Sequence, residues 1–287
     1  MIDARGDDAA VADALARVLP GFRPDGGDFR YRVIDGGINK RSFLVSMDDR
    51  QYVLQCSVAG TMALLDVASE ARVMQAAAAA GLAPRVVGAD PATGALLTEY
   101  WAGAMPWSGA SACEPGNIGR AADLLRALHR VPVALPKLYA ARVAARYIAE
   151  LPDLELDIAK WAEELTRLAR DYDERYGADV LCHNDLAAAN ILDDGKLWLV
   201  DFEYAVGGAP ILDLASLAGM NDYTAAQYRD LVDAYYQTTV PFTQTAFDDM
   251  VRMVRLLALF WALIGERRAA DGRAYAQFAR RMVEALK

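Results

Sequence analysis

The chain of 287 residues carries 39 acidic against 30 basic side chains, a formal charge of −9, and 54% hydrophobic residues. That content excludes general disorder, and the length suits two lobes or one large domain. The acidic balance offers no basic stripe for nucleic acid, though metal ions can still bring a polyphosphate to such a chain, and a cationic small molecule is weakly favoured. The N-terminal stretch "MIDARGDDAA" is acidic and lacks an apolar run, so no signal peptide is expected. Residues 8–19 have Val11, Leu15 and Val18 at helical spacing. "FRYRVI", "SFLVSM" and "QYVLQC" are predicted strands, with turns at "DGG" and "DDR". A long alanine-rich helix is predicted from about Met62 to Ala80, stopped by Gly81 and Pro84. "RVVGAD" and "GALLTEY" are the next strands, joined by "PATG". After Tyr100 the composition changes. A Gly- and Pro-punctuated loop leads into helical patterns at 117–130, 139–150, 155–175, 211–219, 223–237 and 245–286. The expected division is a β-rich unit over 1–100 and a helical unit over 101–287.

The only strand-like material of the second half is "VLCHNDLAAANILDDGKLWLVDFEYA", Val180 to Ala205. It sets His183, Asp185, Asn190 and Asp201 between short apolar runs, although Asp and Asn are poor residues for a strand or helix interior. Three chemistries compete for such a cluster. A His-rich zinc site fails because the chain has two histidines, His129 and His183. Nucleophile catalysis lacks a Gly-x-Ser-x-Gly elbow, and Cys182 has no separate base. Cys56, Cys113 and Cys182 are scattered, fit no metal spacing, and read as reduced thiols of a cytoplasmic protein. Phosphoryl transfer fits: it needs a carboxylate beside the acceptor hydroxyl and hard oxygen ligands for magnesium. Asp185 supplies the first. Asn190 and Asp201 supply the second, brought together by a hairpin turning at Asp193-Asp194-Gly195.

"HNDLAAAN…DFEYA" resembles the catalytic segment of the aminoglycoside phosphotransferase and choline kinase superfamily, and "DFEYA" in particular is similar to choline and ethanolamine kinases. "IDGGINKRSFLV", "SEARVMQAAAAAGLAPRVV", "LLTEYWAG", "LLRALH" and "APILDLASL" extend the likeness over most of the chain. The resemblance implies an α+β, two-lobed protein-kinase-like fold: a small N-terminal antiparallel-sheet lobe that binds nucleotide and a larger helical lobe. It implies an ATP- and Mg2+-dependent kinase, Asp185 as catalytic base, and an alcohol acceptor, with an amino alcohol such as choline or ethanolamine first in line. The alternatives are a kinase for an aminoglycoside, a sugar or thiamine, and a non-catalytic nucleotide-binding relative.

Further roles follow from the resemblance. Gly36, Gly37 and Asn39 would form the phosphate loop, and Glu99 and Tyr100 would present hinge backbone groups to adenine. Asp213 would bind backbone groups at a helix start. The superfamily's Lys or Arg, which reaches the α/β-phosphates and pairs with the helix carboxylate Glu70, is here Gln55, a neutral side chain. Lys40 or Arg41 could replace the missing charge, and Glu70 without its partner would be a solvated helix residue. Glu203 and Tyr204, just past Asp201, and Trp261 in a late helix would line the acceptor pocket by charge and cation–π attraction; Tyr204 and Trp261 have core packing as the alternative. The longest apolar run, "LLALFWALIG", is far short of a membrane span. A soluble cytoplasmic protein without nucleic-acid or membrane partners is expected.

Overall fold

The computed structural model describes residues 7–23, 29–34, 40–57, 66–269 and 272–287. In chain order the elements begin with α1 (Asp7–Val18), β1 (Phe29–Ile34), β2 (Lys40–Met47), β3 (Arg50–Ser57), α2 (Val67–Ala79), β4 (Val86–Asp90), β5 (Ala95–Glu99) and the two-residue β6 (Met105–Pro106). Then come α3 (Gly109–Ala112), α4 (Pro115–Leu128), α5 (Ala140–Ala149), α6 (Leu156–Arg175), β7 (Val180–Cys182), a 3₁₀ turn at Ala188–Asn190, β8 (Ile191–Asp193) and β9 (Leu197–Leu199). β10 (Val206–Gly208), α7 (Pro210–Met220), α8 (Ala225–Tyr236), α9 (Gln244–Arg268) and α10 (Arg273–Leu286) complete the chain. It forms two units: Met1–Met105 with Trp198–Tyr204, and Pro106–Leu197 with Ala205–Lys287.

The first unit is built on an antiparallel sheet of order β1-β2-β3-β5-β4. Alternation sets its two faces. Phe43, Val45, Tyr52, Leu54 and Leu97 join Val11, Leu15 and Val18 of α1 in one buried cluster. Each such apolar side chain contributes roughly 1.5–3 kcal/mol on burial, an upper estimate. The end of α1 lies so close to β4 that a Cβ on Gly88 would stand 1.9 Å from the Val18 carbonyl oxygen, so this strand position requires glycine.

Helix α2 begins later than its apolar pattern predicts. Asp66 caps it, accepting from Ser69 N at 2.7 Å, and the expected first turn over residues 62–65 lies outside the described residues. Its end follows the prediction: Gly81, at φ +73°, lets Gly81 N and Leu82 N reach back to the carbonyls of Ala78 and Ala77. The segment Trp198–Tyr204 belongs to this unit rather than to the helical half. Leu199 N donates to Leu82 O at 2.8 Å, the Trp198 ring lies tilted against Trp101 with ring centroids 3.7 Å apart, and Phe202 is fully buried.

The second unit is helical, with β7 and β10 paired antiparallel, Cys182 opposite Val206. The helical pattern predicted over 245–286 is two helices. α9 ends at Arg268 and α10 starts after Gly272, whose Cβ would meet the Glu266 carbonyl oxygen at 2.6 Å. The break lets α10 fold back on α9, so that Tyr275 and Phe278 ring Trp261. No helix among the described residues is long and apolar enough to cross a membrane.

Candidate active site

The loop His183–Asn190 leaves β7 and is held by α7. Asp213, in the first turn of α7 and fully buried, accepts from His183 N at 2.9 Å and Asn184 N at 2.8 Å. Ser216 Oγ accepts from Leu186 N and donates to Asn184 O, both at 3.2 Å. Asn221 Oδ1 accepts from Ala188 N at 2.9 Å while its Nδ2 donates to Leu186 O at 2.8 Å. Three side chains one helix turn or so apart thus satisfy the polar backbone of a loop that has no strand partner. Asn184 takes φ +65°, which asparagine tolerates better than most residues.

Within that loop the amide of Asn190 donates both hydrogens to Asp185, to its backbone oxygen at 2.9 Å and its Oδ2 at 2.8 Å. The Asn190 Oδ1 is therefore the atom left to meet a ligand. Fully buried His183 accepts from Asp185 N through Nδ1 at 3.3 Å, a structural role. His129, at the C-terminal cap of α4, joins the same carboxylate: Nε2 lies 3.1 Å from Asp213 Oδ2 and Nδ1 lies 2.7 Å from the Tyr235 hydroxyl. Farther along, Arg120 forks onto Asp193 at 2.6 and 2.7 Å, and Trp107 Nε1 and Gly195 N add their own bonds to it. Arg120, by hydrogen bonding first of all, holds the Asp193 carboxyl well below the usual carboxylate range.

His129, Cys182 and Asp213 place metal-ligand atoms within 4.8 Å of one another. Each atom is already committed: Cys182 Sγ donates to Ala209 O, and burial pushes its thiol up, away from a thiolate. The cluster is a hydrogen-bonded knot beneath the loop.

In the first unit one cation gathers three carboxylates. Lys40 Nζ lies 2.6 Å from Glu70 Oε1, 2.7 Å from Asp201 Oδ1 and 3.4 Å from Glu203 Oε2. Lys40, Glu70 and Glu203 are buried, while the Asp201 side chain is 27% exposed. Burial opposes the Lys40 charge, but Asp201, then Glu70 and Glu203, outweigh it and hold the ammonium above its ordinary range. Burial pushes the Glu70 carboxyl up to about 7, against the pull of Lys40. Asp201 takes φ +65°, a conformation costing roughly 1 kcal/mol that the surrounding contacts must impose.

The remaining predicted site residues fall as follows. Gly36, Gly37 and Asn39 lie outside the described residues. Gln55 is half-buried on β3 opposite Ser42 of β2. Glu70 is not a solvated residue: it sits on the buried face of α2 among Val67, Ala71, Val73 and Met74. Glu99 N donates to Arg85 O and Tyr100 N to Gln51 O, so both hinge N–H groups are engaged within the sheet, and the Glu99 carboxylate pairs with Arg85 at 2.6 Å. Glu203, expected in an acceptor pocket, stands buried beside Lys40 because that ammonium is the compensating charge within reach. Tyr204 is half-buried, as is Trp261, whose ring lies 5.2 Å from Tyr275 and 5.8 Å from Phe278.

The family model described as the phosphotransferase enzyme family matches residues 30–246, three quarters of the chain. The chain belongs to the phosphotransferase enzyme family. The expectation of a small-molecule kinase of the protein-kinase-like fold agrees with that membership. A choline/ethanolamine kinase family protein from Mesorhizobium loti superposes with a TM-score of 0.72 at 26% identity, over 98% of this phosphotransferase and 95% of that chain. The choline kinase LicA from Streptococcus pneumoniae superposes with a TM-score of 0.77 at 17% identity, over 98% of both chains, a likeness of fold. Protein LicA of Haemophilus influenzae is 22% identical over 218 residues, 74% of this chain but only 64% of that protein's length.

Proposed function

We propose that this phosphotransferase moves the γ-phosphoryl group of ATP, with magnesium, to the hydroxyl of a small amino alcohol of the choline or ethanolamine type. The observation that carries the reading is the Asp185–Asn190 pair on a loop clamped by Asp213, Ser216 and Asn221. Phosphoryl transfer asks the protein for positioning and charge rather than covalent chemistry. Asp185 accepts the acceptor's hydroxyl proton, and Asn190 fixes the carboxylate that does so. The donor set suits magnesium: Asn190 Oδ1 and Asp201 are hard oxygens, and Asp201 is the most open carboxylate around Lys40. Magnesium, when bound, neutralises charge on the phosphates. The phosphate-loop role of Gly36, Gly37 and Asn39 rests on the resemblance of their sequence alone, and Glu99 and Tyr100 are read as the strand end that serves the base. Tyr204 and Trp261 offer aromatic faces to a cationic acceptor head, and the charge of −9 favours such a ligand.

The test is a screen of Mg-ATP consumption with choline, ethanolamine, aminoglycosides, sugars and thiamine as acceptors. Consumption should appear with an amino alcohol and fall about 100-fold or more in Asp185→Asn, with nucleotide affinity little changed. Turnover of a sugar or aminoglycoside alone would overturn the acceptor class, and consumption with none of them would overturn the kinase reading.

A further inference from the structure

Position 55 holds a neutral glutamine where the resemblance places a cation, yet the helix carboxylate that such a cation would pair with is present and buried. Glu70 occupies the apolar face of α2, a position no helix gives to a carboxylate without a partner. Its partner is Lys40, 2.6 Å away and 30 residues earlier. The strand geometry explains the substitution. Phe43 and Val45 of β2, with Tyr52 and Leu54 of β3, pack on α1. Alternation therefore sends Lys40 and Ser42, and Val53 and Gln55, to the opposite face of the sheet. Ser42 and Gln55 are direct cross-strand partners, so Lys40 leaves the sheet one strand over and two residues along from Gln55, on the same side. Arg41 points the other way: its guanidinium lies 5.3 Å over the Phe43 ring.

Resting on the kinase reading above, we propose that Lys40 supplies from β2 the cationic contact to the nucleotide phosphates, with Glu70 as its positioning carboxylate and Gln55 relieved of that task. The ammonium is fixed at one end by Glu70 and touches Asp201 at the other, the residue assigned to the metal. A lysine has three donor directions, so it keeps Glu70 while a phosphate oxygen takes another. Glu203, buried at 3.4 Å, balances the charge from a third side.

Labelling of the wild-type chain tests this without relying on a variant that must fold. An acyl-phosphate derivative of ATP acylates a lysine lying against its phosphates. Nζ, having lost a proton to solvent, attacks the acyl carbon; the bond from that carbon to the phosphate oxygen breaks, and ATP leaves with the electron pair. Peptide mapping should place the label on Lys40, with excess Mg-ATP protecting it, and leave Lys137, Lys160, Lys196 and Lys287 unmarked. Arg41→Gln should label and turn over as the wild type does. Lys40→Met should lose about 100-fold in kcat/KM for ATP, the scale of removing a charge from the transferring group. Glu70→Gln should raise KM for ATP about tenfold with the acceptor KM unchanged, a split that general loosening of the fold does not produce. Protected label on another lysine, or no protected label on a chain that turns over, overturns the assignment and leaves the kinase reading standing. Absence of both protected label and turnover overturns both.

Discussion

The imidazole Nε2 of His129, at the C-terminus of α4, lies 3.1 Å from Oδ2 of Asp213 in the first turn of α7. That carboxylate also holds two backbone amides of the His183–Asn190 loop, so α4, α7 and the loop share one buried carboxyl group. Replacing Asp213 by Ala leaves those donors buried without partners. The expected loss of unfolding free energy is about 3–5 kcal/mol, as for breaking a buried charged network. His129→Ala removes one contact and a ring; about 1–3 kcal/mol is expected, with Asp213 keeping its loop bonds. Urea titrations of both variants check the order. A loss on Asp213→Ala no larger than that on His129→Ala would show that the loop does not depend on this carboxylate.

Asp201 separates stability from ligand binding. Without it, Lys40 keeps Glu70 at 2.6 Å and Glu203 at 3.4 Å, so the buried ammonium stays paired. Asp201→Ala should therefore cost only about 1 kcal/mol, chiefly from placing alanine at φ +65°. Mg-ATP affinity should fall at least about tenfold with loss of a hard anionic ligand. In melting experiments Mg-ATP should raise the wild-type Tm, a chelator of magnesium should remove most of that rise, and the variant should show little of it. Equal Tm shifts in both proteins would remove Asp201 from the metal.

The fork of Arg120 on Asp193 predicts a pH dependence with a definite sign. Asp193 is held below its unfolded value of about 3.9, so its contribution is fully present above that value and is lost as pH falls through the folded one. Both partners are partly exposed, which limits the pair to about 1 kcal/mol. Arg120→Ala should be less stable than the wild type by a constant amount from pH 5 upward. The gap should narrow below about pH 4, as measured by paired chemical denaturation curves. A gap that widens on acidification would contradict the assignment.

Gly88 tests the packing of α1 on the sheet. A Cβ there would meet the Val18 carbonyl at 1.9 Å, backbone against backbone, with no flexible side chain to give way. Gly88→Ala should cost about 1–3 kcal/mol, as overpacking does. Gly103→Ala, where no atom stands within 4 Å but φ is +101°, should cost about 1 kcal/mol from conformation alone. Thermal melts of the two variants distinguish the mechanisms.

The local structure of the segment from Val180 to Asp201 was legible because its signals are local. Asp185 and Asn190 are five residues apart, a two-sided apolar pattern fixes the short strands around them, and Asp193-Asp194-Gly195 dictates a return. The five N-terminal strands were legible for the same reason, since a period of two with turn residues between is a property of neighbours in sequence. What tertiary structure alone decided is which charges meet. Lys40 and Asp201 are 161 residues apart, and His129 and Asp213 are 84 apart. Alternation states only which face of a strand a side chain takes, and the predicted strand began at Ser42, so neither the face of Lys40 nor the partner of Glu70 was assignable until β2 proved to start at Lys40. Burial completes the choice: a charge removed from water must take whichever opposite charge the packing brings within about 3 Å, and this turned Glu203 toward Lys40. The end of α9 at Arg268 escaped periodicity likewise, because an amphipathic pattern runs on past it and only the docking of α10 on α9 marks where one helix stops.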